Sequence, residues 1–493
     1  MATPLNPSSF LEERFLAEYA MYAQTRHLDA ARAKDYARLD ENHQVYLDYS
    51  GSGLYAESQL QGHLSYLSHH VLGNPHSLSP ASRLTSQDLE EARREVLDFF
   101  RADPVDYTVI FTSNASGALK LVGESYPFQA GGRLLLSSDN HNSMNGIREF
   151  AKRKGCETTY APLTLPEMRL DEGALEFALA SSHNGAPRLF GYPARSNFSG
   201  VLHSPEWIAL AHGYGWDVLL DAAAFVPSHR LEVSHWKPDF VSISFYKMFG
   251  YPTGVGCLLA QREALSKLRR PWFAGGTVTA ASVQGDRHYF AEGEQAFEDG
   301  TVNFLDLPAV TQGLRYLDSL GLESIGVRGL CLTGWMLEQM QQLKHQNGLP
   351  AVRIYGPSDT NQRGATITFN LLDPQGNLVD HREVMLRAES LRISLRTGCF
   401  CNPGSGETAL GLGKEELEDC FSLPEHEHHF NPEDFLHCIE GKGSGAVRIS
   451  FGLASNFEDA RCFLALLEDF CPSLRDGFSS SVFSNPEAQR LHS

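Results

Sequence analysis

Short apolar runs of the length of buried strands recur along the chain as far as Ala260. Amphipathic stretches with helical spacing separate most of them, such as Ser86–Phe100, which follows a Thr85-x-x-Asp88 capping signal. Strands that alternate with helices in this way predict an α/β domain with a large, mostly parallel sheet. The candidate strands are Val45–Tyr49, Tyr107–Thr112, Arg133–Ser138, Arg188–Pro193, Asp217–Ala222, Phe240–Phe245 and Val255–Ala260.

The pattern changes at about Leu305, where a long helical stretch begins that reaches about Gln346. The elements predicted after it are strands over Gly364–Leu371, Leu391–Leu395 and Ala446–Phe451, and helices over His381–Glu389 and Phe457–Phe470. These patterns predict a smaller α+β domain. We therefore divide the chain into an N-terminal helical segment (1–40), a large α/β domain (41–305), a small α+β domain (306–472) and a Ser-, Pro- and Asn-rich tail (473–493) predicted to be disordered.

Composition and charge exclude several classes of protein. Of the 493 residues, 42% are hydrophobic and 20% are charged, and no apolar run reaches the roughly 20 residues that span a bilayer. The first residues lack the basic start and apolar core of a secretory signal, so we expect a cytosolic protein. A net charge of -19 argues against a nucleic-acid or anionic-membrane partner. Nine cysteines in such a chain indicate reduced thiols.

A lysine and an acid follow two neighbouring apolar strands. Lys247 lies in the run Val241–Gly250 and closes its apolar strand pattern, and Asp221 closes the run Leu219-Leu220-Asp221. An amine and a carboxylate at the ends of adjacent buried strands suggest a pyridoxal phosphate site, in which the amine forms a Schiff base and the carboxylate holds the ring nitrogen protonated. Taken singly, a surface lysine and a helix-capping aspartate are the alternatives.

Three further strand ends carry polar candidates. The turn from Phe111 to Lys120, with Ala115 and Ser116, leads from a strand into a helix and offers backbone N–H groups to a phosphate, although an ordinary capped helix has the same pattern. His141 could stack on an aromatic cofactor or simply be solvated, and Asn197 could donate to a phenolate oxygen. Ligands of open α/β sheets bind at the carboxyl ends of the strands, where all these candidates fall.

These residues resemble the class V, fold-type I pyridoxal phosphate enzymes, and within them the cysteine desulfurases. The motifs that carry this resemblance are Gly73-Asn-Pro-His-Ser77, Asp221-Ala-Ala223 and Arg396-Thr-Gly-Cys-Phe-Cys401. Four more are similar to the N-terminal domain of molybdenum-cofactor sulfurases: Ser244–Gly254, Phe297–Thr301, Arg396–Gly404 and Val447–Gly452. At two positions, Tyr246 and Ala224, the chain has the same residues as those sulfurases. Ser405-Gly406 occupies a position where the resemblance leads us to expect a further cysteine.

The resemblance implies a fold-type I architecture with a mostly parallel seven-stranded sheet, pyridoxal 5'-phosphate as cofactor and L-cysteine as substrate. It implies a homodimer with two equivalent sites at the subunit interface, and it leaves the sulfur acceptor open, since those sulfurases continue into a second domain. The implied roles are Lys247 as the Schiff-base lysine, Asp221 as the ring-nitrogen partner, His141 as the stacking residue, Asn197 as the donor to the ring oxygen, and Ala115, Ser116, Ser244 and Thr277 of the second subunit around the phosphate.

The expected chemistry is that of a desulfurase. Arg448 would pair bidentately with the substrate carboxylate and Asn197 would also contact the substrate, while Lys247 removes the α-proton. The thiolate of Cys401 would then take the substrate sulfur as a persulfide and leave alanine, with Arg396 lowering the pKa of its thiol. We expect Cys399 to point to the opposite face of an extended segment and to be structural.

Several alternatives stay open at this stage. The cysteine pair could form half of a metal site with His426-Glu-His-His429, although we expect that cluster to be a solvated loop and predict no metal. Arg448 could form an ordinary ion pair at the end of its strand and not bind the substrate carboxylate. The enzyme could instead be a C–S lyase for a cysteine conjugate, or the chain could be a non-catalytic sulfur-relay subunit.

Overall fold

A seven-stranded sheet forms the centre of the large domain in the computed structural model. The model describes residues 7–471 apart from 76, 182–184 and 423–444, with side chains from residue 11 onward. The order across the sheet is Tyr107–Thr112, Gly256–Gln261, Phe240–Ser244, Asp217–Asp221, Arg188–Pro193, Arg133–Ser137 and Glu157–Ala161. Gly256–Gln261 is antiparallel to both neighbours and the other pairs are parallel. The predicted fold class, with a large and mostly parallel sheet, is confirmed.

Two details of the predicted sheet are wrong. Val45–Tyr49 is not part of it, since only Val45–Tyr46 is extended, and this strand pairs in parallel with Ile393–Ser394. The seventh strand is Glu157–Ala161, which the apolar pattern missed. Its side chains are largely exposed because it lies at the edge of the sheet, so it lacks the apolar run of a strand buried on both faces.

Helices cover both faces of this sheet. The longest, Pro80–Phe99, begins earlier than predicted because Ser79 caps it by accepting from Ser82 N, so the expected Thr85 cap is wrong. The others in the large domain are Glu57–His69, Ala115–Ser125, Asn142–Asn145, Ile147–Arg153, Glu172–Leu179, Glu206–Gly213, Val233–Trp236, Phe245–Phe249 and Arg262–Lys267. Two hairpins, Leu163–Thr164 with Arg169–Leu170 and Val278–Ser282 with Arg287–Phe290, and a 3₁₀ turn at Gly293–Phe297 complete it.

The small domain is built on a four-stranded antiparallel sheet. Its order is Val352–Tyr355, Thr366–Leu371, Ala446–Ser450 and Arg396–Gly398. The predicted single helix up to Gln346 is two helices, Leu307–Leu320 and Leu322–Gln342, because Gly321 between them has a φ of 77° that ends the first. The remaining helices are His381–Ser390, Pro403–Leu410, Lys414–Phe421 and Phe457–Asp469.

The N-terminal helices pack against the small domain. They are Pro7–Glu18, the 3₁₀ helix Ala20–Thr25, His27–Asp35 and Arg38–Glu41. Phe15 stacks on Phe457 at 4.4 Å between ring centroids. The fully buried Arg328 donates to Thr25 O at 2.8 Å. The predicted domain boundaries stay a prediction, as does the disordered tail, which lies outside the described residues.

Candidate active site

A cavity of about 190 Å³ opens at the carboxyl ends of the central parallel strands. Its wall contains seven of the residues predicted to hold a cofactor: Ala115, Ser116, His141, Asn197, Asp221, Ser244 and Lys247. Asn114, Leu119, Ser143, Pro193, Arg195, Ala223, Ala224 and Tyr246 complete the lining. The candidates therefore converge, as expected for strand ends that meet at one edge of a sheet.

Lys247 and Asp221 reach this cavity from adjacent strands. Asp221 is the last residue of its strand and pairs in register with Ser242, and Lys247 follows the same neighbouring strand in the short helix Phe245–Phe249. Burial lowers the pKa of Lys247, and the negative charge of Asp221 opposes that shift. Asp221 Oδ1 accepts hydrogen bonds from Ala223 N and Ser242 Oγ, both at 3.0 Å. Both of these bonds use Oδ1, so the second oxygen can serve a ligand.

Hydroxyl groups gather at the start of the helix Ala115–Ser125. Asn114 caps this helix by accepting from Gly117 N at 2.9 Å, and Ser116 Oγ lies 2.5 Å from Ser143 Oγ. Ser244 Oγ is buried and has no hydrogen-bond partner among the described residues. Three hydroxyls beside a helix N-terminus, one of them unsatisfied, suit an anionic group with several acceptor oxygens. The sequence analysis did not single out Ser143, although it lies two residues after His141.

His141 is held as a neutral ring at the cavity wall. It caps the short helix Asn142–Asn145, with Nδ1 accepting from Ser143 N at 3.1 Å. Burial, followed by the positive charge of Lys247, lowers the pKa of His141 below its usual 6.5, and Asp221 opposes this. An uncharged imidazole at neutral pH is suited to stacking on an aromatic ring and to exchanging a proton.

The cysteine loop does not have the predicted extended form. Phe400 and Cys401 have φ angles of 56° and 54°, in the left-handed region, so the chain turns sharply after Gly398. Cys401 is nevertheless exposed and Cys399 half-buried. Burial raises the pKa of the Cys399 thiol, and Glu407 raises it further. The two side chains thus lie in different environments, but the reason is the turn and not strand alternation.

The loop is docked on the cavity by side-chain amides. Asn402 is fully buried, and its Nδ2 donates to Asn197 Oδ1 at 2.8 Å and to Asp139 O at 2.7 Å. Asn197 Nδ2 in turn donates to the carbonyl oxygen of Phe400 at 2.8 Å. Cys401 O accepts from Asn142 N at 2.7 Å. Sequence reasoning missed Asn402, although an Asn before Pro403 is a recognisable helix-capping signal.

The two arginines assigned from sequence pair with one carboxylate. Arg396 donates to Asp48 Oδ2 from Nε at 2.9 Å and from Nη2 at 2.6 Å, so its guanidinium is engaged by that carboxylate. Its expected effect on the Cys401 thiol stays a prediction. Arg448 is buried, donates from Nη2 to Asp48 Oδ1 at 3.1 Å and from Nη1 to Asn197 O at 2.9 Å. Burial lowers the pKa of both Lys247 and Arg448, and Cys401 acts in the opposite direction on each. Cys401 therefore interacts electrostatically with both Lys247 and Arg448.

Thr277 lies outside the cavity wall of its own protomer. It is fully buried, and its hydroxyl donates to Ala274 O at 2.9 Å and accepts from Ala274 N at 2.8 Å. Its predicted contact with a phosphate of a second subunit stays a prediction.

Within the described ranges, no three His, Cys, Asp or Glu side chains are grouped so as to hold a metal ion. The His426–His429 cluster lies outside those ranges. Seven of the described cysteines are outside any disulfide, but Cys420 is disulfide-bonded, so the expectation of reduced thiols throughout is wrong at that residue. No described helix combines the length and apolarity needed to cross a bilayer.

Sequence comparison relates most of the chain to known proteins. The sequence model of the family described as Aminotransferase class-V matches residues 45–463. A relative named molybdenum cofactor sulfurase, from Solanum lycopersicum, is 37% identical over 496 residues, which cover 93% of this chain and 59% of the relative. The chain thus spans about three fifths of the length of that relative.

Structural comparison finds the same fold in two solved proteins. The apo cysteine desulfurase of Thermococcus onnurineus NA1 superposes with a TM-score of 0.74 at 23% identity, covering 90% of this chain and 98% of that one. The K223A mutant of C-DES, with glycine covalently linked to its PLP cofactor, gives a TM-score of 0.66 at 19% identity and covers 90% and 99%. Both likenesses extend over the large sheet and the small domain together.

Proposed function

Because the chain belongs to the aminotransferase class-V family, we propose that it is a pyridoxal-phosphate-dependent cysteine desulfurase. It converts L-cysteine to L-alanine and carries the sulfur as a persulfide on Cys401. The observation that supports this most directly is that Lys247 and Asp221 meet in one cavity on which the Cys401 loop is docked. The cytosolic location expected from the sequence stays a prediction.

The residues of the cavity fit pyridoxal 5'-phosphate. Lys247 is the amine that would hold its aldehyde carbon, and Asp221 Oδ2 is the oxygen that would bond its ring nitrogen. The unsatisfied hydroxyl of Ser244, with Ser116 and Ala115 at the helix N-terminus, would hold the phosphate. His141 would cover the ring, and Asn197 would donate to the ring oxygen.

When bound, this cofactor withdraws electrons from the substrate's α-carbon. Every other step belongs to side chains of the protein. The lowered pKa of Lys247 leaves a larger fraction of its amine uncharged, which suits it to take the α-proton of cysteine. A thiolate at Cys401 then attacks the substrate sulfur. An S–S bond forms and the substrate C–S bond breaks, so the Cys401 sulfur and the transferred sulfur are oxidised while the substrate's β-carbon is reduced and takes a proton. Lys247 returns a proton to the α-carbon, which gives alanine.

Arg448 binds the substrate carboxylate in this proposal. Its buried Nε has no hydrogen-bond partner in the described part of the chain and so retains a donor, while Asp48 and Asn197 O fix the rest of the guanidinium. Asn197 contacts both the substrate and the cofactor. We propose further that the enzyme is a homodimer in which Thr277 of each subunit reaches the phosphate of the other, and that the persulfide passes to a protein or cofactor acceptor.

Product analysis tests the proposed reaction. The purified protein loaded with pyridoxal 5'-phosphate should produce alanine from L-cysteine, and Lys247→Ala should lose both the reaction and the absorption band of the lysine-linked cofactor. Formation of pyruvate and free sulfide in place of alanine would show that the enzyme is a C–S lyase and not a desulfurase. A parent protein without any cofactor absorption band would leave a non-catalytic sulfur-relay subunit as the function.

A further inference from the structure

Asp48 is a buried carboxylate shared by two arginines. Only 6% of the residue is exposed. Its Oδ1 accepts from Arg448 Nη2 at 3.1 Å, and its Oδ2 accepts from Arg396 Nη2 at 2.6 Å. Among the described residues, no other carboxylate forms an ion pair with Arg448. Removal of Asp48 would therefore leave the buried guanidinium of Arg448 without an anion.

The chain brings Asp48 to the small-domain sheet at the place where the two arginines meet. Asp48 forms a parallel bridge with Ser450, the last residue of the strand Ala446–Ser450. Arg448, two residues earlier, lies directly opposite Arg396 in the antiparallel register of the adjacent strand. Like charges directly opposite each other destabilise a pair of strands. The carboxylate of Asp48 offsets this repulsion because it binds both cations.

Glycine at position 51 leaves the space that this carboxylate occupies. Gly51 N donates to Asp48 O at 2.9 Å, so the chain turns back over the aspartate. A Cβ at Gly51 would lie 2.5 Å from Asp48 Oδ2 and 2.8 Å from its Cγ, closer than such atoms approach in proteins. A side chain at position 51 would therefore displace the carboxylate from the arginines.

Arg448 is fixed by three contacts that still leave it donors. Nη1 donates to Asn197 O at 2.9 Å, Nη2 donates to Asp48, and the guanidinium carbon lies 4.6 Å from the centroid of the Phe400 ring. Each terminal nitrogen of a guanidinium has two N–H groups, so Nη1 and Nη2 each keep one. Burial, followed by the charge of Arg448, lowers the pKa of Lys247, so this cation acts on the proposed catalytic amine.

Only one of these three contacts supplies negative charge. The carbonyl oxygen of Asn197 and the ring of Phe400 are neutral, whereas Asp48 is ionic. Burial lowers the pKa of Arg448, and Asp48 opposes that shift. A buried charge that loses its counter-ion is strongly destabilised, so the guanidinium would leave its present position in search of water or another acceptor.

We propose that Asp48 is a positioning residue that holds Arg448 where it binds the α-carboxylate of the substrate. Asp48 touches neither the substrate nor the cofactor and acts through the arginine. This inference rests on the proposed function, since it explains how the substrate-binding arginine assigned there is held in place.

Two ligands of nearly equal shape test the inference through binding. L-alanine has a carboxylate where L-alaninamide has a neutral amide. Each is titrated into the protein loaded with pyridoxal 5'-phosphate, and its dissociation constant is taken from the change in the cofactor absorption spectrum. The carboxylate preference is the dissociation constant of the amide divided by that of the acid. It is compared between variants, so the different basicities of the two ligand amines cancel.

Substitutions at position 48 should lower this preference. Asp48→Ala should reduce it at least about tenfold, the effect of one hydrogen bond to a charged group. Asp48→Asn should give an intermediate value, because its amide oxygen can still accept from Arg448 Nη2 but carries no charge. Dissociation constants describe the folded, loaded protein alone, so a loss of stability does not imitate this result.

A double-mutant cycle assigns the effect to the arginine. Arg448→Gln should lower the preference at least as far as Asp48→Ala, and the double variant should show no further decrease. Asp459→Asn is the matched control, because Asp459 is a buried carboxylate, 3% exposed, that pairs with the buried Arg32 at 2.5 Å. It should lower stability and leave the preference unchanged.

The possible failures are distinguishable. A preference that stays at the parent value or rises in the Asp48 variants, while Arg448→Gln lowers it, would refute this inference alone. A preference that Arg448→Gln also leaves unchanged would refute the role of Arg448 in the proposed function, and this inference with it. An additional decrease in the double variant would show that Asp48 does not act through Arg448.

Discussion

Removal of the Asn402 side chain should weaken the docking of the Cys401 loop and leave the other contacts of the site unchanged. Asn402 is fully buried and makes three side-chain hydrogen bonds: to Asn197 Oδ1 at 2.8 Å, to Asp139 O at 2.7 Å, and from Ser405 N at 3.1 Å. Asn402→Ala deletes all three. The bond from Ser405 is a helix cap within the loop segment, so two of the three bonds join the loop to the rest of the site. At about 1 kcal/mol for each of these two, the docked position loses about 2 kcal/mol, which corresponds to a factor of about 30 in the docking equilibrium.

A single-turnover assay measures this loss. Alanine formed after rapid mixing of the cofactor-loaded protein with L-cysteine should fall by up to about 30-fold, because Cys401 is no longer held over the cavity. The spectral change on substrate addition should persist, since Lys247 and Asp221 keep their contacts. A merely structural role for Asn402 would change both signals in proportion to the folded fraction.

Asn370→Ala is the matched control for this experiment. Asn370 is also a buried asparagine, 2% exposed, but it donates to Gly445 O at 3.1 Å and lies outside the cavity wall. Its truncation should lower stability without slowing alanine formation in the folded protein. If Asn402→Ala folds and forms alanine within twofold of the parent rate, docking of the loop does not contribute to the reaction.

The other predictions concern the nucleophile, the pH dependence and the assembly. Cys401→Ser should abolish the persulfide, because a hydroxyl is a poor nucleophile toward sulfur, whereas Cys399→Ser should retain most of it; mass spectrometry of the intact protein distinguishes these. His229, with its pKa lowered by burial to about 4 from about 6.5 in the unfolded chain, contributes stability that is present above pH 6.5 and is lost as the pH falls toward 4. Urea unfolding at pH 7 and pH 5 should show a lower free energy of unfolding at pH 5, and His229→Gln should make this difference smaller. A difference that is the same in His229→Gln as in the parent protein would contradict the burial argument. Light scattering should give twice the protomer mass, and a fully active monomer would rule out the contact predicted for Thr277.

The centre of the site was predictable because it follows local rules. Parallel strands buried on both faces read as continuous apolar runs, and the residues that follow them gather at one edge of the sheet. Lys247 and Asp221 could be placed in this way from the sequence alone. Glu157–Ala161 could not, because an exposed edge strand has no apolar run.

The contacts of the cysteine loop could not be derived, because they join distant parts of the chain. Arg396 looked like the cation beside Cys401 because it is five residues away, yet it pairs with Asp48, which is 348 residues away along the chain. Asn197 and Asn402 meet across 205 residues.

The central claim is that Cys401 takes the sulfur of L-cysteine, and peptide mass spectrometry tests it most directly. The cofactor-loaded protein is mixed with L-cysteine labelled in its sulfur, digested without reductant, and the Cys401 peptide is weighed while alanine is quantified. We predict one labelled sulfur atom on Cys401 and an equal amount of alanine. An unmodified Cys401 peptide beside released sulfide and pyruvate would contradict the claim.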